Sequence, residues 1–295
     1  MTASLRGALT ALVTPFTAGG AVDEVALGDF VEWQIAEGID GLVPVGSTGE
    51  AATLTLAERE RVVRITVERT AGRVPVIAGA GSNDTAAAIV ASRVLAEAGA
   101  THLLHVSPMY NKPPQRGLLA HFRAVADASP VPIVLYNVPG RTASNMLAET
   151  TLALAEHPNI VAVKEASGNL AQIEQIIRNR RIGFTVLSGD DGLTFAVMNA
   201  GGEGVVSVIS NLVPRLCAEL AALVAKGDQA KARVLHHRLM PLVDAAFVES
   251  NPIPVKAALA LMGKMQNVLR LPLVPLDGKH VPQLKSALHA VGISP

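Results

Sequence analysis

Residues 74–107 read VPVIAGAGSNDTAAAIVASRVLAEAGATHLLHVS, one full period of the pattern that decides the fold. VPVIA (74–78) and HLLHVS (102–107) are short, nearly continuous apolar runs, as parallel strands buried on both faces require. Between them TAAAIVASRVLAEAG (85–99) has helical periodicity and ends on Gly99, where a left-handed residue is wanted. The alternation extends both ways. ALTALVT (8–14) and GLVPV (41–45) precede it, with helical patterns at 25–38 and 57–70. PIVLY (132–136), IVAVK (160–164), FTVLS (184–188) and GVVSV (204–208) follow, and Gly38 and Gly227 close further helices. Eight strands, each with a helix behind it, is the count at which a parallel sheet closes into a barrel. An open doubly wound sheet is the alternative. Against it, the first strand-to-helix junction, TPFTAGG (14–20), carries no phosphate-binding glycine fingerprint. The repeat shortens from about 34 to about 20 residues along the chain, so later connections must be tight. Strand patterns stop near residue 214 and helical ones continue to the end. The expected architecture is α/β: a (β/α)8 barrel over residues 1–225 with an appended helical domain over 226–295.

Composition agrees with a folded chain. Of 295 residues, 49% are hydrophobic and only 17% charged, which excludes disorder as the main state. Aromatics are 3%, so Ala, Val, Leu and Ile must build the core, and a tyrosine outside it needs an explanation. Lys plus Arg and Asp plus Glu are 25 each; with no basic run, nucleic acid and anionic membrane are not expected partners. The single Cys217 excludes an internal disulfide and fits a reducing cytoplasm. The apolar stretch Ala8 to Val13 is too short for a secretory signal and reads as a first strand. No window approaches 18 uninterrupted apolar residues, so no spanning helix is expected.

In such a barrel the strand C-termini and the loops after them carry the chemistry. Those loops are GSTGE (46–50), SPMYNKPP (107–114), YNVPGRT (136–142), KEASGN (164–169), GDD (189–191) and SVIS (207–210). Lys164 directly follows IVAV. Apolar surroundings favour its neutral amine, the form that attacks a ketone. The alternative is a rim lysine paired with Glu165. Both tyrosines of the chain, Tyr110 and Tyr136, fall in these loops, and Ser47 and Thr48 supply hydroxyls for a proton relay. Alone, each tyrosine could be a rim packing residue and each hydroxyl a helix cap. Arg141 lies five residues beyond Tyr136, where its guanidinium could hold a carboxylate by a forked pair of bonds; an ordinary surface arginine is the alternative.

Other motifs are weaker. GAGS (79–82) follows the third strand and lacks the third glycine of a dinucleotide loop. Asp190 and Asp191 read as caps of a helix starting at Leu193 rather than as metal ligands. His102 and His105 face opposite ways on a strand, and His236 and His237 diverge on a helix. With no HExxH motif and no cysteine cluster, neither a metal nor another cofactor is expected.

GSTGE, YNVPGRT and IVAVKEASGN (160–169) together closely resemble the dihydrodipicolinate synthase and N-acetylneuraminate lyase family. These are class I aldolases on a (β/α)8 barrel with a helical C-terminal domain. The likeness runs from ALVTPF (11–16) through VIAGAGSN (76–83) and LSGDD (187–191) to FVESNPIPVKAAL (247–259). It implies pyruvate held as a Schiff base on Lys164, its carboxylate on Ser47 and Thr48, and the backbone at Val206 flanking it. Tyr136 would exchange the proton, with Ser47 and Tyr110 completing the relay and Tyr110 reaching in from a neighbouring subunit of a homotetramer. Arg141 in NVPGRT is similar to the synthase branch, which implies L-aspartate-4-semialdehyde as second substrate, its carboxylate on Arg141. A sugar-acid lyase of the family and a non-catalytic sensor on the same barrel are the alternatives. Lysine-inhibited members carry a His, an acid and a second Tyr where this chain has Leu56, Ala87 and Met109, which implies weak or absent lysine inhibition.

Overall fold

In a computed structural model, which describes residues 5–294, the alternating pattern folds into eight parallel strands. They are β1 (Gly7–Ala11), β2 (Gly41–Val43), β3 (Ile77–Gly79), β4 (His102–Val106), β5 (Ile133–Asn137), β6 (Ile160–Glu165), β7 (Thr185–Ser188) and β8 (Gly204–Ser207). Neighbours run β2-β1-β8-β7-β6-β5-β4-β3, and a parallel bridge between Leu42 and Val76 joins the two ends of the sheet. The closed order is that of a barrel, not a doubly wound sheet. Strand β2 stops at Val43, short of the expected residue 45, because Pro44 has no N–H to give the ladder.

Helices lie between and after the strands: α1 (Glu24–Ala36), α2 (Leu56–Thr70), α3 (Thr85–Glu97), α4 (Gln115–Ala128), α5 (Pro139–Thr142), α6 (Ala148–Ala155), α7 (Leu170–Asn179), α8 (Thr194–Asn199) and α9 (Pro214–Ala225). Their starts are written locally. Asp23, Asp84 and Asn169 accept backbone N–H bonds at the first turns of α1, α3 and α7. Thr55 and Glu58 form a reciprocal capping box on α2. Gly38, Gly99 and Gly227 follow helices with φ of 88, 99 and 78°, the left-handed turns their positions call for. Beyond α9 the chain continues as α10 (Gln229–Ala246), α11 (Ile253–Leu261) and α12 (Val281–Ala290). α10 packs against both α9 and α12. No helix among the described residues is long and apolar enough to cross a membrane.

Strand register decides what faces the barrel axis. Tyr136 pairs with Lys164 and Asn137 with Glu165 across β5 and β6. Successive residues of a strand point to opposite faces, so Tyr136 and Lys164 share one face while Asn137 and Glu165 share the other.

Candidate active site

The C-terminal ends of the strands enclose a cavity of about 500 Å³. Ser47, Thr48, Tyr136, Arg141 and Lys164 all line it, with Gly189 and Asp190 from the loop after β7. A second cavity of about 390 Å³ shares Ser47, Tyr136 and Arg141 and extends toward Met109 and Leu273.

Lys164 is 6% exposed, and its Nζ lies 4.2 Å from the centre of the Tyr136 ring. It forms no salt bridge among the described residues. Glu165 faces the other way, into the layer under the helices. There its carboxylate accepts from Asn137 Nδ2 at 3.0 Å and from the backbone N–H of Ser167 at 2.8 Å. Burial raises its pKa, opposed by the hydrogen bonds from Ser167, Asn137 and Gln172. The pairing of Lys164 with Glu165 therefore does not form. The lysine is left against an aromatic face at the edge of the cavity.

The stem of Lys164 needs a glycine beside it. A Cβ on Gly189 would stand 2.7 Å from the Ala166 Cβ and 3.1 and 3.2 Å from Lys164 Cγ and Cε. GDD stands out in the sequence for its acids, yet the glycine is what shapes the space around the amine. The two acids separate. Asp190 accepts from Gly192 N at 2.9 Å, capping a short turn. Asp191 instead accepts from Val208 N at 2.8 Å and Ile209 N at 3.2 Å, and the following helix starts at Thr194. Asp191 is thus not a cap of the helix expected at Leu193; it ties the end of β8 to the loop after β7. Burial raises its pKa.

The GSTGE loop is held in strained backbone. Val45 and Glu50, on either side of Gly46–Gly49, have φ of 49 and 54°. A left-handed valine costs on the order of 1–3 kcal/mol and persists only where its surroundings fix it. Here a Cβ on Gly79 would come 2.2 Å from the Val45 carbonyl oxygen, so GAGS gives β3 a close backbone approach to this loop. That is the structural reason for a glycine that mimics a dinucleotide motif. Thr14 Oγ1 donates to Gly49 O at 2.7 Å.

Glu50, at the far end of the loop, is held from the C-terminal helices. Lys256, on α11 and with no exposed surface, donates to Glu50 Oε1 at 2.7 Å and to Thr14 O at 2.9 Å. Its Nζ also sits 4.2 Å from the centre of the Phe16 ring. Glu50 Oε2 accepts from the backbone N–H of Arg270 at 3.1 Å. The Arg270 guanidinium pairs with Glu58 and holds that carboxyl at about 2.

Two of the expected residues stand apart from the cavity. Val206 is buried in β8 and lines neither space; Val208, two residues on, lines the first. Tyr110 is 89% exposed with φ of 71°, on a turn closed by Asn111 N bonding to Met109 O. No cluster of three or more His, Cys, Asp or Glu placed to hold a metal occurs among the described residues.

A (β/α)8 barrel with C-terminal helices, a lysine buried at a strand end, a tyrosine against it and a hydroxyl-bearing loop define the class: a Schiff-base-forming lyase of the class I aldolase type. Within that class the chain belongs to the dihydrodipicolinate synthetase family, whose model matches residues 4–291. It is 50% identical over 291 residues to the 4-hydroxy-tetrahydrodipicolinate synthase of Maridesulfovibrio salexigens, covering 98% of this chain and 99% of that one. Among solved structures, a monomeric dihydrodipicolinate synthase variant superposes with a TM-score of 0.96 at 42% identity, over 98% of this chain and 97% of the other. The Cyanidioschyzon merolae enzyme, solved with lysine bound, gives 0.95 at 44% identity, over 97% and 98%.

Proposed function

We propose that this protein is a 4-hydroxy-tetrahydrodipicolinate synthase, condensing pyruvate with L-aspartate-4-semialdehyde on the path to diaminopimelate and lysine. The observation that carries the reading is the unpaired Lys164 beside Tyr136, in one cavity with Ser47, Thr48 and Arg141.

The chemistry follows from the groups present. The neutral Lys164 amine adds to the pyruvate ketone, and loss of water leaves an imine. The protonated imine draws electrons from the neighbouring methyl carbon, so removal of one of its protons gives an enamine. Tyr136 takes that proton, with Ser47 and Tyr110 completing its relay; Tyr136 and Ser47 lining one cavity with Lys164 supports these roles. The pyruvate carboxylate lies on the Ser47–Thr48 loop, which offers it backbone N–H groups and hydroxyls. The enamine carbon attacks the aldehyde, a carbon–carbon bond forms, and the aldehyde oxygen takes a proton. The semialdehyde's amino group then attacks the imine carbon and displaces the Lys164 amine, closing the ring. One water is lost overall. Arg141 holds the semialdehyde carboxylate at the mouth of the cavity, and its planar fork suits that group better than a lysine would.

The reading includes a cytoplasmic homotetramer built as a dimer of dimers, in which Tyr110 of one subunit completes the relay of its neighbour. The exposed phenol on a strained turn supports it, since no described residue of the same chain hydrogen-bonds that side chain. Sedimentation should give a tetramer. Inhibition by lysine should be weak or absent, because Leu56, Ala87 and Met109 offer an ammonium and a carboxylate few polar contacts; potent inhibition at sub-millimolar lysine would overturn that part.

The decisive assay follows pyruvate consumption with L-aspartate-4-semialdehyde, beside N-acetylmannosamine and a simple sugar-acid aldehyde. Turnover with the semialdehyde alone is expected. Turnover only with a sugar aldehyde would keep Lys164 and discard the substrate, and no turnover with any would favour a sensor. Borohydride with pyruvate should trap an adduct on Lys164, absent in Lys164→Ala; an adduct at another lysine in that variant would refute the assignment.

A further inference from the structure

The residue that links both anion-holding parts of the cavity comes from the C-terminal helices. Asn251, just before α11, is 6% exposed and lines both cavities. Its Nδ2 donates to Thr48 Oγ1 at 2.8 Å, and its backbone oxygen accepts from Arg141 Nη2 at 3.1 Å. Its Oδ1 is buried with no hydrogen-bond partner among the described residues.

The direction of the first bond matters. A hydroxyl carries one proton and two lone pairs. With a lone pair of Thr48 taken by the amide, the hydroxyl proton is left to be given away. Thr48 is β-branched and stiff at χ1, so its oxygen is held in place while its proton turns to whatever acceptor the cavity offers. No group among the described residues accepts it, which leaves it for solvent or for an anion that enters the cavity. An acceptor at position 251 would reverse this: it would take the proton and turn the hydroxyl away from a carboxylate.

We infer that Asn251 is a positioning residue for pyruvate: its amide makes Thr48 a hydrogen-bond donor to the pyruvate carboxylate, while its main-chain carbonyl anchors Arg141 at the other end of the site. The inference rests on the proposed reading of Ser47 and Thr48 as the pyruvate carboxylate site. It adds that the site is complete only when the C-terminal helices have docked.

The test uses pyruvate alone, with borohydride-trapped imine measured against pyruvate concentration in the full-length protein. A hydrogen bond to a charged group is lost or misdirected, so Asn251→Ala should weaken apparent pyruvate affinity roughly tenfold, and Thr48→Val by a similar factor. Because Asn251 acts through Thr48, the double variant should be no more than about twofold weaker than Thr48→Val. Asn251→Asp should be weaker than Asn251→Ala and recover as pH falls and the new carboxyl protonates. All four variants keep the main-chain anchor of Arg141, so in full turnover the pyruvate KM should rise far more than the semialdehyde KM. Thermal melts check that each variant is folded. If the Asn251→Ala loss adds in full to that of Thr48→Val, or if Asn251→Asp binds pyruvate like the wild type, the positioning role is overturned. If the wild type forms no pyruvate imine, the functional reading falls and this inference with it. If the wild type forms the imine and Asn251→Ala is unchanged, only the role of Asn251 falls.

Discussion

Replacing Lys256 with Met tests how the fold holds its pocket loop. Lys256 and Glu50 are both without exposed side-chain surface, 2.7 Å apart, in a space closed by Phe16 and the Thr14 carbonyl. Methionine matches the volume of the lysine stem but leaves a carboxylate buried with only the Arg270 N–H as partner. Breaking one side of such a pair costs about 3–5 kcal/mol, much of it the penalty on the stranded charge. At about 2.1 cal/mol/K of unfolding entropy per residue, a chain this long should lose roughly 5–8 °C in melting temperature. Glu50→Gln in the same background removes the stranded charge, so the double variant should regain part of that loss. Differential scanning calorimetry or denaturant unfolding at pH 7 reads both. A single variant within about 1 kcal/mol of wild type, or a double variant worse than the single, would refute the view that the buried pair is tightly coupled.

Gly189→Ala should cut pyruvate imine formation by an order of magnitude or more and cost about 1–3 kcal/mol of stability, because the new methyl meets Lys164 Cγ and Cε and the Ala166 Cβ; unchanged trapping would show that the lysine stem moves freely. Arg141→Lys should raise the KM for the semialdehyde about tenfold or more and leave imine formation with pyruvate intact, since a forked pair of bonds becomes a point contact; a loss confined to pyruvate would place Arg141 at the wrong end of the site. His105, fully buried beside Ser92, has its pKa pushed down by burial to about 3. Its neutral form is favoured in the fold, so stability is full above the unfolded value near 6.5 and falls by about 1.4 kcal/mol per pH unit as pH drops from 6.5 toward 3. His105→Gln lacks that dependence, and between pH 7 and pH 5 wild type should lose about 2 kcal/mol more than the variant in urea unfolding; parallel losses would show that His105 does not contribute.

Two lysines show how far sequence reading reaches. Lys164 and Lys256 both follow apolar residues, in IVAVK and PIPVK, and both are buried. The strand context of Lys164 marks it as an end-of-barrel residue, because strand order and the side on which loops gather follow from a local repeat. Within its own segment, Lys256 has the same apolar approach and the same claim to reactivity. What commits it is Glu50, 206 residues away, a partner no local pattern reveals. Asn251 is silent in the sequence for the same reason: its contact with Thr48 spans 203 positions. The barrel, its strand order and five of the cavity's side chains are legible because periodicity and loop position suffice for them. Val206 falls outside the cavity because the wall there follows the loop beyond β8, which Asp191 pulls into place. The distinct roles of Asp190 and Asp191 depend on that packing too.

The way the pocket loop is tied has a consequence for how the chain is made. All eight strands have left the ribosome once residue 207 is clear, yet the partners of Thr48 and Glu50 are Asn251, Lys256 and Arg270. A nascent chain arrested in between would own a complete sheet and Lys164 but no settled seat for a carboxylate. At about 5–20 residues per second, residue 270 follows residue 50 by roughly 10–45 s. Competence to bind would then arrive only after residue 270 has emerged, so that products truncated before it, however well their strands assemble, do not compete for substrate.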